Sequence, residues 1–446
     1  MALSGIQIYK LLPQTNCKDC GFPTCLAFAM KLAAKQVELA ACPHVTEASK
    51  AQLSESAAPP VRLVSVRANG NEVKVGNEVV LFRHEKTFYN KPGLFVRVSD
   101  DMPAEALHAK VSAADAYRTN YVGIELGIDG LAVEATSGSP ETFAGAVKAV
   151  RSASHRPLIL IGKDPTVMAA GLQALSGETP LICGADASNW EAMAALAAKH
   201  KAALVVSAPT LEGLAGLAEK IKAKGVEDLV LDPSVRDLGA SLALSTQIRR
   251  LALKKNFRAL GYPIIAFPSA AGDPGVEVMR AGQAIAKYAG FVVLDRFDAA
   301  MIHPLLVLRQ NIYTDPQKPI QVLPGLYEIN GPTAESPVLV TTNFSITYFS
   351  VANEVEGSGL PAWLLVCDAE GMSVLTAWAA GKFDADRIAK DAKQFNAAGK
   401  VSRKRLVIPG HVAVLSGDLE ESMPGWEIRV GPREAVDLPT FMKQAL

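Results

Sequence analysis

Four of the six cysteines fall within the first 42 residues, as Cys17, Cys20, Cys25 and Cys42. Thiolates are soft ligands that select iron–sulfur clusters or zinc. The spacing is C-x2-C-x4-C-x16-C, with Pro43 directly after the last cysteine. Zinc favours two separated pairs. Three clustered ligands with one remote suit a cubane cluster better, and a proline after the last ligand is a feature of bacterial ferredoxin runs. A structural zinc site and free thiols are the competing readings. Gly21 and Pro23 shape a tight turn between ligands, and Phe22, Leu26 and Phe28 make the loop apolar. LAFAMKLAAKQVELAA (26–41) reads as a helix that returns Cys42 to the loop. Cys183 and Cys367 stand alone at or near the ends of apolar runs and read as small buried hydrophobes.

Other chemistry is conspicuous by its absence. No Gly-x-Gly-x-x-Gly opens a helix after a strand, and there is no Walker loop. None of the seven histidines is paired at i, i+4, as a helical zinc site needs. None lies in Asp-x-His-x-x-Gly, the motif by which many corrinoid-binding domains ligate cobalt. Around His411 the two key positions are Pro409 and Val414, so His411 reads as a turn histidine.

The elements that must position these groups fall into three composition regimes along 446 residues. Residues 1–58 are the cysteine segment, closed by a loop into Pro59-Pro60 that reads as a linker. Residues 61–325 open with β-like sequence (VRLVSV, NEVKVGNEVVLF). Short apolar runs then alternate with Ala/Lys/Glu-rich helical segments such as 189–201 and 210–224. The runs are 94–98, 121–126, 131–135, 157–162, 179–184, 202–208, 228–232, 262–267 and 290–295. Such alternation builds parallel sheet from βαβ units, and its length fits a (β/α)8 TIM-like barrel; a doubly wound open sheet is the alternative. Residues 326–446 repeat it on a smaller scale, with strands at 336–343, 362–368, 405–410 and 426–431 and helices at 344–355, 373–381 and 438–446. The overall expectation is an α/β chain: a four-cysteine domain, a barrel, and a C-terminal Rossmann-like α/β domain.

Composition excludes several function classes. Hydrophobic residues make up 49% and charged residues 20%, a globular balance. Lys plus Arg and Asp plus Glu each total 45, so nothing favours nucleic acid, and Arg403-Lys404-Arg405 reads as a solvated strand entry. The N-terminus lacks the apolar core of a secretory signal, and no run approaches the ~18 apolar residues of a membrane span. The expectation is a cytoplasmic protein without structural disulfides.

Taken together, the chain resembles, end to end, the large subunits of the corrinoid iron–sulfur proteins of acetogenic and carboxydotrophic bacteria. The most specific stretches are GIQIYKLLPQTNCKDCGFPTCLAFAMKLA, VTTNFSITYFSVANEVE and CDAEGMSVLTAWAAGKF. The resemblance implies a [4Fe–4S] cluster on the four cysteines and a cobamide on the C-terminal domain. It implies a methyl carrier of the reductive acetyl-CoA (Wood–Ljungdahl) pathway. There cobalt accepts methyl from methyltetrahydrofolate through a methyltransferase and passes it to acetyl-CoA synthase/CO dehydrogenase, while the cluster restores oxidised cobalt. It also implies a heterodimer with a small subunit. The missing Asp-x-His-x-x-Gly fits cobalt without a histidine ligand, a state more easily reduced by a low-potential cluster.

Open α/β sheets bind ligands at the carboxyl ends of their strands. Under the resemblance, the implied cobamide contacts are Thr342, Asn343, Ser345 and Thr347, then Gly371, Met372, Ser373 and Val374, then Gly431, Arg433, Glu434 and Ala435. Each could equally serve as a turn or cap; Ser373 has the look of an N-cap. Delivery of methyl to two enzymes implies a mobile domain hinged within 315–336. Two other readings stay open. One is an electron-transfer subunit. The other is a pterin- or folate-dependent methyltransferase barrel using residues such as Asp232, Asp295 and Asn343.

Overall fold

A computed structural model describes residues 5–33, 37–47, 49–50, 53, 59–175, 177–269, 272–315 and 320–445. Contacts divide the chain into two units: Met1–Tyr117 with Gly127–Tyr313, and Arg118–Leu126 with Thr314–Leu446.

The cysteine segment packs helix Gly5–Leu11 against helix Cys25–Ala33. Ile8, Leu12, Phe28 and Val45 form its small core, and Cys25 and Cys42 are buried within it. The helix expected over 26–41 ends its described span at Ala33; residues 34–36 lie outside the described residues, and Leu39–Ala41 form a single 3-10 turn. The linker residues 54–58 also lie outside them, while Arg258 Nη1 donates to Pro59 O at 2.7 Å.

β1 (Val64–Ala68) and β2 (Asn71–Val75) form a hairpin around Asn69-Gly70, both at positive φ as a type I′ turn requires. β3 (Gly93–Ser99) begins the barrel. The next pair, β4 (Thr119–Tyr121) and β5 (Ile124–Leu126), are not barrel strands but an antiparallel hairpin belonging to the second unit. This corrects the reading of 121–126 as one barrel strand. β6 (Gly130–Glu134), β7 (Leu158–Ile161), β8 (Leu181–Ala185), β9 (Ala203–Ser207), β10 (Leu229–Asp232), β11 (Ile264–Ala266) and β12 (Ala289–Leu294) then complete a closed parallel barrel with β3, in sequence order. Alternate residues point inward: Phe95, Ala132, Ile159, Val205, Val230 and Phe291 meet Val64, Val66, Val73 and Val75 of the first hairpin, which plugs the barrel floor. Each buried Val, Ile or Phe among them stabilises by about 1.5–3 kcal/mol relative to exposure.

The second unit carries a five-stranded sheet from β13 (Gly325–Ile329), β14 (Val338–Thr342), β15 (Ala362–Cys367), β16 (Arg405–Ile408) and β17 (Glu427–Val430). The order is β13-β15-β14-β16-β17, with only β13 antiparallel. The chain therefore reverses direction of growth between β14 and β16, the switch point of a doubly wound, Rossmann-like sheet. One face packs Ile388, Ala392 and Leu419; the other packs Val355, Leu438, Met442 and, from the inserted hairpin, Val122.

One further expectation is narrowed here and another corrected. Of the segment near 315–336 expected to act as a hinge, the later part is built into the second unit: Val322 N–H donates to Asn343 O and Gly325–Ile329 is an edge strand (residues 316–319 lie outside the described residues). Arg405 is not solvated: it is 5% exposed and its Nε donates to Glu427 Oε2 at 3.1 Å. Cys183 and Cys367 are buried, as their apolar contexts predict, and burial pushes both thiols far above the ordinary range.

Candidate ligand sites

The first site grows out of a strained loop. Gln14, Asn16 and Lys18 take positive φ, and Gly21 follows at +80°. Asn16 is tied to a ligand in both directions. Its Oδ1 accepts from Cys25 N–H at 2.8 Å, and its own N–H donates to Cys25 Sγ at 3.4 Å. Cys20, Cys25 and Cys42 share the apolar cluster, whereas Cys17 is exposed. Cys17 Sγ lies with the Asp19 carboxylate and the His44 ring, all within 4.8 Å of one another, and Asp19 Oδ2 meets His44 Nε2 at 2.6 Å. The hydrogen bond to His44, then that from Cys17, holds the Asp19 carboxyl below its usual range. Two buried thiols, a third partly buried and a backbone N–H aimed at a ligand sulfur fit a cluster whose sulfurs carry negative charge.

The second site is a cavity of about 310 Å³ in the second unit. β14 and β16 pair only at Val338 with Leu406 and Leu339 with Val407. Beyond that the strands part, and the cavity opens in the gap at the switch point. Its floor is Leu339, Thr341, Val407 and Ile408; helix Ser345–Ser358 supplies Ile346, Thr347, Ser350 and Val351. Ser373, Val374 and Leu375 form another wall. Pro409, His411 and Gly431 to Ala435 complete it. Gly410 lets the loops after β16 and β17 meet, since a Cβ there would lie 2.6 Å from Gly431 O. His411 Nε2 stands 3.7 Å from Glu434 Oε1. Ile346, Leu375 and Val436 leave apolar surface exposed at and beside the mouth.

Of the twelve residues read as cobamide contacts, seven line this cavity: Thr347, Ser373, Val374, Gly431, Arg433, Glu434 and Ala435. Thr342, Asn343, Ser345, Gly371 and Met372 are not in its wall. Asn343 instead holds the turn after β15: its Oδ1 accepts from the N–H groups of Ala369 (2.9 Å) and Gly371 (3.0 Å). Ser373 sits at the N-cap of Val374–Ala379 without a side-chain capping bond; its Oγ lies 3.0 Å from Thr376 Oγ1. Sequence reasoning placed Thr341 at the ligand-binding strand end, and the structure puts it in the cavity lining; it passed over Ile346, Ser350 and Val351, which lie one helical turn around Thr347, and over Leu339, two before Thr341 on the same strand face.

The barrel rim does not offer the free acids of a pterin site. Arg236 binds both carboxylate oxygens of Asp232 at 2.9 Å, and Arg97 joins Asp295 at 2.5 Å and Glu134 at 2.9 Å. Asn343 belongs to the other unit.

A thiolate-rich segment, a closed (β/α)8 barrel and a doubly wound sheet split at its switch point define a three-part α/β protein with two separate ligand sites. Residues 63–442 match the family of the CO dehydrogenase/acetyl-CoA synthase delta subunit, and residues 12–44 match the family titled "Putative Fe-S cluster". The chain is 45% identical to the corrinoid/iron-sulfur protein large subunit of Moorella thermoacetica, over 100% of both chains. It is 37% identical to the acetyl-CoA decarbonylase/synthase complex subunit gamma of Archaeoglobus fulgidus, over 97% of this chain and 96% of that one. Dihydropteroate synthase from Thermus thermophilus is similar at a TM-score of 0.40 and 21% identity, over 57% of this chain and 100% of that one; closure of the barrel rests on its strand pairing, not on this likeness. The chain belongs to the CO dehydrogenase/acetyl-CoA synthase delta-subunit family, together with the corrinoid/iron-sulfur protein large subunits and the decarbonylase/synthase gamma subunits. Among the described residues no helix is long and apolar enough to cross a membrane.

Proposed function

We propose that this chain is the methyl-carrying large subunit of a corrinoid iron–sulfur protein in the reductive acetyl-CoA pathway. The observation that carries the reading is the cavity at the parted strands β14 and β16, in a chain matched end to end by a corrinoid/iron-sulfur large subunit. Cys17, Cys20, Cys25 and Cys42 hold a [4Fe–4S] cluster, and the switch-point cavity with its rim holds the cobamide. When bound, the cobamide supplies a nucleophilic cobalt that carries methyl, and the cluster supplies the electron that restores it after oxidation.

The protein's own residues do the rest. Leu339, Val407, Ile346, Val351 and Leu438 exclude water from the cavity, while Thr347, Ser350 and Ser373 offer hydroxyls to amide and phosphate groups at its wall. His411 lines the wall beside Glu434, so its ring can donate to a cofactor side chain. The partners are a small subunit, the methyltetrahydrofolate methyltransferase and acetyl-CoA synthase/CO dehydrogenase, and the setting is the cytoplasm.

The test separates the two sites. In the reconstituted heterodimer, Cys25→Ser should leave methyl acceptance by chemically pre-reduced protein near the wild-type rate and abolish reactivation of oxidised protein by an electron donor. Equal loss of both, with cobamide still bound, would sink the division of labour.

A further inference from the structure

The mouth of the barrel holds a carboxylate arranged as a ligand seat, and the chain itself occupies it. Asp232 ends β10 at the carboxyl face of the barrel, the face on which such barrels bind ligands. Val230, two residues earlier, packs in the barrel core, so Asp232 points into the mouth above it. Its side chain is only 6% exposed. Two of its bonds come from the frame. Ser234 N–H donates to Oδ1 at 2.8 Å, and Ser207 Oγ donates to Oδ2 at 3.3 Å. These hold the carboxylate in one orientation whatever else it binds. The outward side of the carboxylate takes Arg236, whose Nη1 donates to Oδ1 and Nη2 to Oδ2, each at 2.9 Å. The same guanidinium lies over the Phe267 ring, 5.1 Å from its centroid, and Phe267 packs on the barrel core.

A fixed carboxylate with an aromatic floor suits a flat group that presents two parallel N–H donors. Arg236 supplies that group from the loop between β10 and helix Leu238–Lys254, with 40% of its side chain exposed. A 2-amino-4-oxopyrimidine ring, the head of every pterin and folate, carries the same pair of donors, one on the ring and one on the amino group. It is also flat enough to lie on Phe267. Resting for its purpose on the carrier reading above, we infer that Arg236 is a specificity residue. It occupies Asp232 in cis and so shuts the pterin head of the methyl donor out of the carrier's own barrel, leaving that head to the methyltransferase. Without the guanidinium, the mouth becomes a pterin site.

The experiment titrates the cobamide-loaded heterodimer with 6-methylpterin and with 6-methyllumazine, in which an oxygen replaces the amino group, following ligand fluorescence. Wild type should show no saturable binding of either. Arg236→Ala should bind the pterin about tenfold or more tighter than wild type does, and tighter than it binds the lumazine by a similar factor, because only the pterin supplies both donors. Adding Asp232→Asn to Arg236→Ala should abolish the gain. Arg236→Gln keeps one N–H for Asp232 and should show a smaller gain of the same sign; it decides the question if Arg236→Ala does not fold. The pterin should raise the melting temperature of the Arg236 variants and the lumazine should not, since only a bound ligand stabilises by mass action. Pterin binding by wild type as tight as by the variants, or no gain in either variant, overturns the inference and leaves the carrier reading intact. A wild-type heterodimer that takes up no cobalt overturns the carrier reading, whatever the titration gives.

Discussion

Asn343 Oδ1 accepts from Gly371 N–H at 3.0 Å, across the mouth of the sheet from the end of β14 to the turn after β15. The same oxygen accepts from Ala369 N–H at 2.9 Å, and Gly371 holds a φ of +73°. One side chain thus fixes the turn that leads into Ser373 and Val374 of the cavity wall. Asn343→Ala strands two buried donors and should cost about 2–4 kcal/mol in urea unfolding. Gly371→Ala should cost about 1–2 kcal/mol through backbone strain alone. It adds a clash, since its Cβ would lie 2.7 Å from the Gln321 side chain. Both variants should also weaken cobamide binding; full stability in Asn343→Ala would show that the turn holds without its clamp.

Val122 is a β-branched residue at φ +50°, a conformation rarely tolerated, yet its side chain is only 3% exposed. It packs with Val322, Leu339 and Val366 in the second unit's core, while Asn120 Oδ1 receives Gly123 N–H at 3.0 Å. Burial of the isopropyl group offsets the strained turn. Amides of 119–126 should therefore exchange with solvent in step with β14 and β15. Val122→Gly should accelerate hairpin exchange by at least tenfold. Hairpin exchange that is fast in the wild type would contradict this anchoring.

Acid should destabilise the first unit between about pH 4 and 2. Hydrogen bonds from Ser188 and then Lys163 lower the Asp186 carboxyl from 3.8 to about 2. Lys74 and then Arg67 lower that of Glu72 from 4.5 to about 2. Folded values below unfolded ones mean stability present above the unfolded pKa and lost as pH falls through the folded one. Asp186→Asn with Glu72→Gln should flatten the stability curve in that window and leave its slope above pH 5 unchanged. An unchanged slope below pH 4 would show that other carboxyls govern acid unfolding.

The four cysteines should act as a module. Cys42→Ser should reduce iron content to below half of wild type and leave cobamide affinity within about twofold, because the two sites belong to different units. Iron and corrinoid absorbance measured on one sample decide it.

Much of this was legible in the sequence where one periodicity dominated. The barrel strands from 131 to 295 announce themselves as apolar runs between amphipathic helices, and ligand spacing alone singled out the cysteines. Three features were hidden for physical reasons. YVGIEL is as apolar as a barrel strand, and its turn uses Val122-Gly123 where Asn-Gly would have signalled a hairpin. Gly325–Ile329 is a partly exposed edge strand of only five residues directly after Pro324, too short for its alternation to stand out. Asn343 sits where ligand contacts concentrate, but the hydrogen bonds that occupy it come from residues 26 and 28 positions away. The place of Leu339 in the cavity floor, deeper in the strand than Thr341, became visible only once β14 and β16 were seen to part.

The most direct measurement is metal and corrinoid analysis of the anaerobically purified heterodimer, expressed with cobamide available. About one cobalt and about four irons per large subunit are predicted, with cobalt lost when the switch-point cavity is filled by Gly431→Trp and iron retained. Iron without cobalt, or cobalt indifferent to that substitution, would contradict the assignment of this cavity as the cobamide site.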